Sequence, residues 1–225
     1  MGFLLSRCIG LVTPSMGAAA QFYVHHFGMV DLDPASGVEL AAGPLRLFLD
    51  PGQNRPVVFE LTTDDHHEAR HLVRQFGFEE LVWRGQGQSC LVRDPFGLVF
   101  NIHEDRTASF PQTLEEPDPG FIKPCLGAVT PSPDATATFY ARVLDSVPSR
   151  LPDGSYVVDS GPIRIRFRSG PETRPVIWIR SDAPLDQLQE AGCFQSHDDV
   201  LIDPFGVTWS IENVAPAPRA VCCPL

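Results

Sequence analysis

The chain has 225 residues, of which 43% are hydrophobic and 20% charged, and its formal net charge is -11. This composition describes a soluble globular protein and excludes a disordered chain or one that spans a membrane. An acidic chain without a cluster of Lys or Arg offers no basic face to phosphates, so we expect neither a nucleic-acid nor a membrane partner. The six cysteines follow no disulfide spacing, and we expect reduced thiols in a cytoplasmic protein.

In the first half, hydrophobic periodicity and turn residues predict strands, helices and hairpins in a recurring order. Gly28 follows the first predicted helix and should end it. The second predicted helix carries His66, His67 and His71, which we expect on a solvated outer face. In chain order the predicted elements are a strand (7–13), a helix (17–27), a hairpin (38–41 and 45–49), a strand (57–62), a helix (64–75), a hairpin (79–83 and 89–93) and a strand (99–103).

The second half repeats the first. Residues 8–23 return as residues 125–140 with ten of sixteen positions identical, and Asp94-Pro-Phe-Gly returns as Asp203-Pro-Phe-Gly. A spacing of 110 to 120 residues is too long for a solenoid repeat and indicates a duplicated domain. The interval from Arg174 to Asp203 is ten residues shorter than that from Arg55 to Asp94, which predicts a trimmed last module in the second domain.

These boundaries predict a first domain over residues 1–106, a linker over 107–121, a second domain over 122–214 and a tail over 215–225. The linker is rich in Pro, Gly and acidic residues, as is typical of a segment between domains. Each domain consists of two β-α-β-β-β modules. The fold class is therefore α+β, and the paired domains allow either a monomer with an internal pseudo-dimer or a homodimer.

The strand and helix that carry Phe-Tyr at residues 22–23, followed later by Asp-Pro-Phe-Gly and a final strand, resemble the vicinal oxygen chelate superfamily. This superfamily contains glyoxalases, bleomycin-resistance proteins and extradiol dioxygenases, and the Asp-Pro-Phe-Gly turn resembles its PhnB-like branch. The resemblance implies two tandem glyoxalase-like domains, each an incomplete barrel with the ligand inside. It does not by itself give a function, because the superfamily includes both enzymes and drug-binding proteins.

The resemblance also implies where a divalent metal would be bound. Relatives hold the metal with a His on the first strand of each module and a Glu on the closing strand. The matching positions here lack that set, and we therefore expect no metal and no cofactor. They are Cys8, Val58 and Asn101 in the first domain and Cys125, Ile177 and Ser210 in the second, with a one-residue slip possible at Val58 and Ile177.

Strand alternation predicts which side chains face the barrel interior. Phe100 with Ile102, and Trp209 with Ile211, should pack under the helices, so that their neighbours face inward. The inward candidates for ligand binding are Cys8, Asn101, Cys125, Ser210 and Glu212, and the candidates for catalysis are Glu60 and His103.

Two uses of these residues remain open. Cys8, Glu60 and His103 are all of metal-binding types and form a non-standard triad, whereas the equivalents Cys125, Ile179 and Glu212 do not. Without a metal, Glu60 is a candidate general base and His103 a candidate proton donor.

The leading prediction is a bleomycin-resistance-like protein that binds a small organic molecule in a barrel cleft without the usual metal. The alternative is a lyase, isomerase or dioxygenase of the same superfamily. A binding protein should retain most of its affinity after Glu60→Gln or His103→Ala, whereas an enzyme should lose turnover.

Overall fold

The computed structural model describes residues 2–33, 38–43, 45–53, 57–85, 87–105, 125–160, 163–181, 185–197 and 200–213, and for residues 179–181, 197, 212 and 213 it describes the backbone alone. The predicted linker and tail lie outside these ranges, and their bounds stay predictions. Each copy of the repeat forms one mixed sheet of eight strands. The predicted α+β class with two tandem glyoxalase-like domains is confirmed. No helix in the described ranges is long and apolar enough to cross a membrane.

The first sheet has the strand order β2-β3-β4-β1-β5-β8-β7-β6. In each module the first strand lies parallel to the last, β1 beside β4 and β5 beside β8, and the two modules join where β1 pairs antiparallel with β5. The elements are β1 (Leu4–Thr13), α1 (Met16–Phe27), β2 (Val30–Asp31), β3 (Glu39–Ala42), β4 (Leu45–Pro51), β5 (Val58–Thr63), α2 (His66–Gln75), β6 (Glu79–Trp83), β7 (Cys90–Arg93) and β8 (Val99–Glu104).

The second sheet repeats this order as β10-β11-β12-β9-β13-β16-β15-β14. Its last helix has 6 residues where α2 has 10. The elements are β9 (Cys125–Thr130), α3 (Pro133–Val143), β10 (Pro148–Arg150), β11 (Tyr156–Ser160), β12 (Ile163–Ser169), β13 (Arg174–Ser181), α4 (Leu185–Glu190), β14 (Phe194–His197), β15 (Val200–Ile202) and β16 (Thr208–Asn213).

Local sequence explains where the first two helices begin and end. Asp65 caps α2, since its side chain accepts hydrogen bonds from the backbone N–H groups of His67 and Glu68 at 2.8 and 3.0 Å. Gly28 ends α1 with φ at 65°, a left-handed conformation that favours glycine, and its N–H donates to the carbonyl of Tyr23. The predicted stop at Gly28 is thus confirmed.

Each sheet has one face under the helices and one face turned away from them, which we call the open face. Phe100, Ile102, Trp209 and Ile211 are all buried in the core that includes helix residues such as Tyr23, as alternation predicted. Residues of the open face of the first sheet are half-buried or exposed. They include Cys8 and Gly10 on β1, Arg46 and Phe48 on β4, Val58 and Glu60 on β5, and Asn101 on β8.

The helices α1 and α3 each pack against their own sheet, α1 on β4 and α3 on β11 and β12, and their aromatic side chains also contact the opposite half. Tyr23 of α1 contacts Phe205 and Trp209 of the second half, with ring centroids 5.8 and 5.6 Å apart. Tyr140 of α3 contacts Phe100 of the first half at 5.8 Å. One continuous hydrophobic core therefore joins the two domains.

Two buried hydrogen bonds cross between the halves in a reciprocal manner. The Tyr23 hydroxyl donates to Oδ2 of Asp203 at 2.7 Å, and the Tyr140 hydroxyl donates to Oδ2 of Asp94. Each helix tyrosine thus bonds to the Asp-Pro-Phe-Gly turn of the other domain. We expected the two domains to meet as the two subunits of a dimer would. In this structure the two equivalent Tyr–Asp contacts join them in that way.

Burial dominates the electrostatics of these pairs. It raises the pKa of Asp94 and of Asp203 above the usual range, although hydrogen bonds from the tyrosines, from Trp209 and from the turn backbone act in the opposite direction. Burial, followed by the nearby carboxylate charge, also raises the pKa of Tyr23 and Tyr140. The phenolic protons consequently stay in place across the physiological range.

We expect Tyr23→Phe and Tyr140→Phe each to lower the free energy of unfolding by about 1–3 kcal/mol, because each leaves a buried carboxylate oxygen short of a donor. The measurement is urea unfolding followed by circular dichroism. Tyr156→Phe is the matched control, since its half-buried hydroxyl makes no hydrogen bond to any described residue. Losses equal to that of the control would contradict a role for the two hydroxyls in joining the domains.

The raised pKa of Asp203 predicts a pH effect of defined sign. The native state holds this proton to a higher pH than the unfolded chain, whose aspartates titrate near about 3.9. The contribution of Asp203 to the free energy of unfolding therefore falls as pH rises through the interval above that value. The stability advantage of the wild type over Asp203→Asn should shrink between pH 4 and pH 7 in urea titrations, and an advantage that grows with pH would contradict the assignment.

Candidate functional site

Four polar side chains form a row across the open face of the first sheet. Arg46 pairs with Cys8 across β4 and β1, and Glu60 pairs with Asn101 across β5 and β8. Leu5 pairs with Leu61 and Ile9 with Phe59, so a bulge in β1 places three residues opposite the single residue Glu60. Cys8 is the last of these three residues. We call Arg46, Cys8, Glu60 and Asn101 the polar row.

A second row lies beside it, one step along the strands. Phe48 pairs with Gly10, Gly10 with Val58, and Val58 with Val99. We call these four residues the apolar row. Gly10 has no side chain, so the surface is recessed at the middle of the apolar row. Phe48, which lies beside Gly10, is 36% exposed.

Hydrogen bonds hold the end of the polar row in place. The backbone N–H of Cys90 donates to Oδ1 of Asn101 at 3.1 Å, which directs Nδ2 of Asn101 to Oε2 of Glu60 at 3.2 Å. A half-buried carboxyl group is thus oriented from one side by a side-chain amide. Glu60 and Asn101, predicted separately from alternation, lie together.

The thiol of Cys8 is next to the carboxyl of Glu60. Burial raises the pKa of Cys8, a hydrogen bond with Ser6 lowers it, and the charge of Glu60 and a hydrogen bond with Glu60 raise it further. The net effect keeps the thiol protonated, so Cys8 is a hydrogen-bond donor and a poor nucleophile.

The structure does not assemble the alternative metal triad. His103 lies on β8 opposite Thr62, is exposed and makes no hydrogen bond to a described residue. Within the described ranges, no group of three or more His, Cys, Asp or Glu is placed to hold a metal ion. The family's metal positions carry Cys8, Val58 and Asn101, and this donor set does not fit a divalent metal.

The second open face differs at one central position. Val176 pairs with Gly127 as Val58 pairs with Gly10, so that Trp178, and not Ile179, is the equivalent of Glu60. The correspondence of Ile177 with Val58 was therefore wrong by the one-residue slip that the sequence left open. The sequence favoured the wrong register, because Arg55-Pro-Val returns as Arg174-Pro-Val and this identity aligns Val58 with Ile177.

Trp178 fills the site that corresponds to Glu60. It is 4% exposed and packs with Cys125 and Val176, and the guanidinium of Arg166 lies over its ring at 5.6 Å from the centroid. Ser210, paired with Trp178, is also buried. The predicted ligand-binding residues Cys125 and Ser210 are therefore buried beside the indole of Trp178. This corrects the expectation that their side chains face an open cleft. Glu212 is on β16 opposite Arg180, and its side chain is outside the described part of the structure.

A surface cavity of about 320 Å³ opens at the start of α2, and no sequence pattern indicated it. His66 is 8% exposed and stacks on Trp83 with ring centroids 4.6 Å apart, so its predicted solvated position is wrong. Arg70 lies over the same indole and forms an ion pair with Glu80 at 2.8 Å. The lining residues are Asp65, His66, His67, Arg70, Trp83, Gly85 and Glu104.

Comparison with known proteins identifies the fold and no closer relationship. No family model matches the sequence, and no curated protein matches it. Solved structures do match: the Mn(II)-bound glyoxalase from Novosphingobium aromaticivorans aligns over 95% of this chain and 88% of its own, with a TM-score of 0.54 and 16% identity.

Two further matches are a dioxygenase and a synthase. The 2,2',3-trihydroxybiphenyl 1,2-dioxygenase from Sphingomonas wittichii strain RW1 aligns over 95% of this chain and 91% of its own, with a TM-score of 0.55 and 14% identity. A 4-hydroxymandelate synthase mutant from Streptomyces coelicolor aligns over 95% and 93%, with a TM-score of 0.55 and 12% identity. The chain therefore has the fold shared by glyoxalases and extradiol dioxygenases, and identities this low carry no activity.

The contact between Cys8 and Glu60 predicts a reactivity change. Glu60→Gln removes the charge that raises the pKa of Cys8, so the thiolate fraction at pH 8 should rise, by about tenfold for each pKa unit lost. Alkylation of Cys8 by iodoacetamide, followed by peptide mass spectrometry, should be several times faster in the variant. Buried Cys193 is an internal control, and an unchanged rate at Cys8 would show that Glu60 does not control the thiol.

Proposed function

We propose that the open face of the first domain binds a small, flat organic molecule. The observation that carries this proposal is the polar row directly beside the apolar row, with Glu60 oriented by Asn101 at their centre. Ligand sites in proteins typically combine an apolar surface with a few oriented polar groups.

The two rows define how such a molecule would lie. Its apolar face would pack on Phe48, Gly10 and Val58, and a hydroxyl or amine at its edge would donate to Glu60. Adjacent strands are about 4.8 Å apart, so Arg46 and Glu60, two strands apart, lie roughly 10 Å from each other along the backbone. A ligand of one or two rings spans that separation.

This binding needs no metal, since the donor set at the family positions does not fit one. We infer from this lack of metal ligands a resemblance to the bleomycin-resistance proteins. The Asp-Pro-Phe-Gly turn, which is present twice, supports a resemblance to the PhnB-like branch. A cytoplasmic location with reduced cysteines is part of this proposal.

A catalytic alternative is favoured by one observation, the fixed orientation of Glu60. A carboxylate held by an amide on one side can remove a proton from a ligand on the other, and exposed His103 on the same strand as Asn101 is the candidate that returns it. In that case the protein would be a lyase or an isomerase.

A thermal-shift screen of phenols and aromatic amines, paired with their O-methyl or N,N-dimethyl analogues, tests the proposal. We expect stabilisation by donor-bearing compounds and weaker stabilisation by their methylated partners. Phe48→Ala should weaken binding at least tenfold, whereas Glu60→Gln should weaken it about 3- to 10-fold, the loss expected for one hydrogen bond of 0.5–1.5 kcal/mol.

Phe194→Ala is the matched control, because Phe194 is an exposed phenylalanine of the second domain. Equal losses in Phe48→Ala and Phe194→Ala would contradict the assigned surface. Product analysis of each hit then separates the two functions: turnover that Glu60→Gln abolishes while binding persists would establish the enzyme, and binding without turnover would establish the binding protein.

A further inference from the structure

The indole N–H of Trp178 is a buried donor without an acceptor. Trp178 is 4% exposed, and its Nε1 is the one buried side-chain nitrogen or oxygen in the described residues that makes no hydrogen bond. Leaving such a group unpaired is unfavourable, and native proteins seldom do so without a ligand, an ion or a water. By contrast, Nε1 of Trp209 donates to Asp203 at 2.8 Å.

Arg164 lies in the same row as Trp178. Cys125 pairs with Arg164 on one side and with Trp178 on the other, so the two side chains flank the thiol. Nε of Arg164 donates to Asp159 at 3.2 Å, and its two terminal nitrogens donate to no group in the described part of the chain. Arg164 and Trp178 together leave unused donors on both sides of Cys125.

Arginines are concentrated on this face although the whole chain has a net charge of -11. Alternation on β12 turns three of them to the open face, and a fourth lies on β13 in the row of Val129, which corrects the expectation of no basic cluster. The acidic partners of three of these arginines are solvent-exposed and hold them weakly. The four are Arg164, Arg166, Arg168 and Arg174.

We propose that the open face of the second domain binds a small carboxylate above Cys125, which accepts hydrogen bonds from Trp178 Nε1 and from the terminal nitrogens of Arg164. A carboxylate has two oxygens, each able to accept more than one hydrogen bond, and arginine matches its planar geometry. The two groups beside Cys125 that have unused capacity are both donors, which favours a ligand that accepts hydrogen bonds.

Arg166 covers the site. Its guanidinium lies on the Trp178 ring and bonds to Ser155 at 3.1 Å and Asp153 at 2.5 Å. Burial raises the pKa of Asp153, but hydrogen bonds from Ser155 and Arg166 outweigh it and lower the pKa to about 2. The pair is thus formed at neutral pH, and the proposal requires Arg166 to leave the indole before a carboxylate can reach Nε1.

This site is independent of the first-domain site. It uses no residue of the polar or apolar row, and either site can fail without the other. Its ligand class is also distinct, since Glu60 accepts hydrogen bonds where Trp178 donates them.

The test is a titration of the full-length, ¹⁵N-labelled protein with benzoate, followed by the indole N–H signals of its three tryptophans at constant ionic strength. Trp178→Phe assigns the signal by removing it. We expect benzoate to shift the Trp178 signal downfield in a saturable manner, benzamide to leave it in place, and the Trp209 signal to stay fixed.

Arg164→Gln should weaken benzoate binding at least tenfold, whereas Arg174→Gln, an arginine of the same face in another row, should leave it within twofold. An unmoved Trp178 signal up to 50 mM benzoate would overturn the proposal and leave water as the partner of the indole. Equal shifts with benzamide, or equal weakening by both arginine variants, would also overturn it. Loss of phenol or amine binding in these variants would not be expected, because that site lies in the other domain.

Discussion

The reciprocal hydrogen bonds between helix tyrosines and turn aspartates are the constraint on which the arrangement of this protein depends. Oδ1 of Asp94 accepts from the backbone N–H groups of Phe96 and Leu98 and so holds its own turn, while Oδ2 receives the Tyr140 hydroxyl of the other half. Asp203 does the same for its own turn and for Tyr23. Each half therefore supplies a donor to the buried carboxyl group of the other half, and Asp203 also accepts a hydrogen bond at Oδ2 from Trp209 of its own half.

The residues that join the two halves are separate from the residues of the two proposed binding sites. The main core, the helices and both aspartates lie on one side of the sheets. The open face of the first sheet contributes little to it, and that of the second carries a separate small cluster of Cys125, Val176 and Trp178. Residues on an open face can therefore change without disturbing the contact between the halves. The two copies show this freedom: the buried face keeps Phe or Trp with Ile at the closing strands, whereas the open face carries Glu60 in one copy and Trp178 in the other.

The fold was predictable from the sequence because duplication marks equivalent positions and alternation marks the two faces of each strand. Glu60 and Asn101 were found in this way. The register of β13 was not, since the repeated Arg-Pro-Val aligned Val58 with Ile177, one residue away from the pairing that the structure shows. The burial of His66 depends on Trp83, a residue 17 positions away in sequence on another element, and no local pattern reports such a stacking contact. The pairing of each tyrosine with the aspartate of the other half likewise becomes visible only when the halves are placed together.

The two open faces share an arginine beside a cysteine, Arg46 with Cys8 and Arg164 with Cys125. The side chain on the neighbouring strand, Glu60 or Trp178, decides the polarity of the site. A carboxyl group there accepts hydrogen bonds, whereas an indole donates one. The arginine of each face pairs with an acid of the adjacent outer strand, Arg46 with Glu39 and Arg164 with Asp159. Because these rows lie on equivalent strands of equivalent sheets, a single residue type distinguishes a face suited to a donor-bearing molecule from one suited to an anion. The duplication thus provides two equivalent sheets, and under both proposals the side-chain polarity of each open face, and not the fold, sets the class of its ligand.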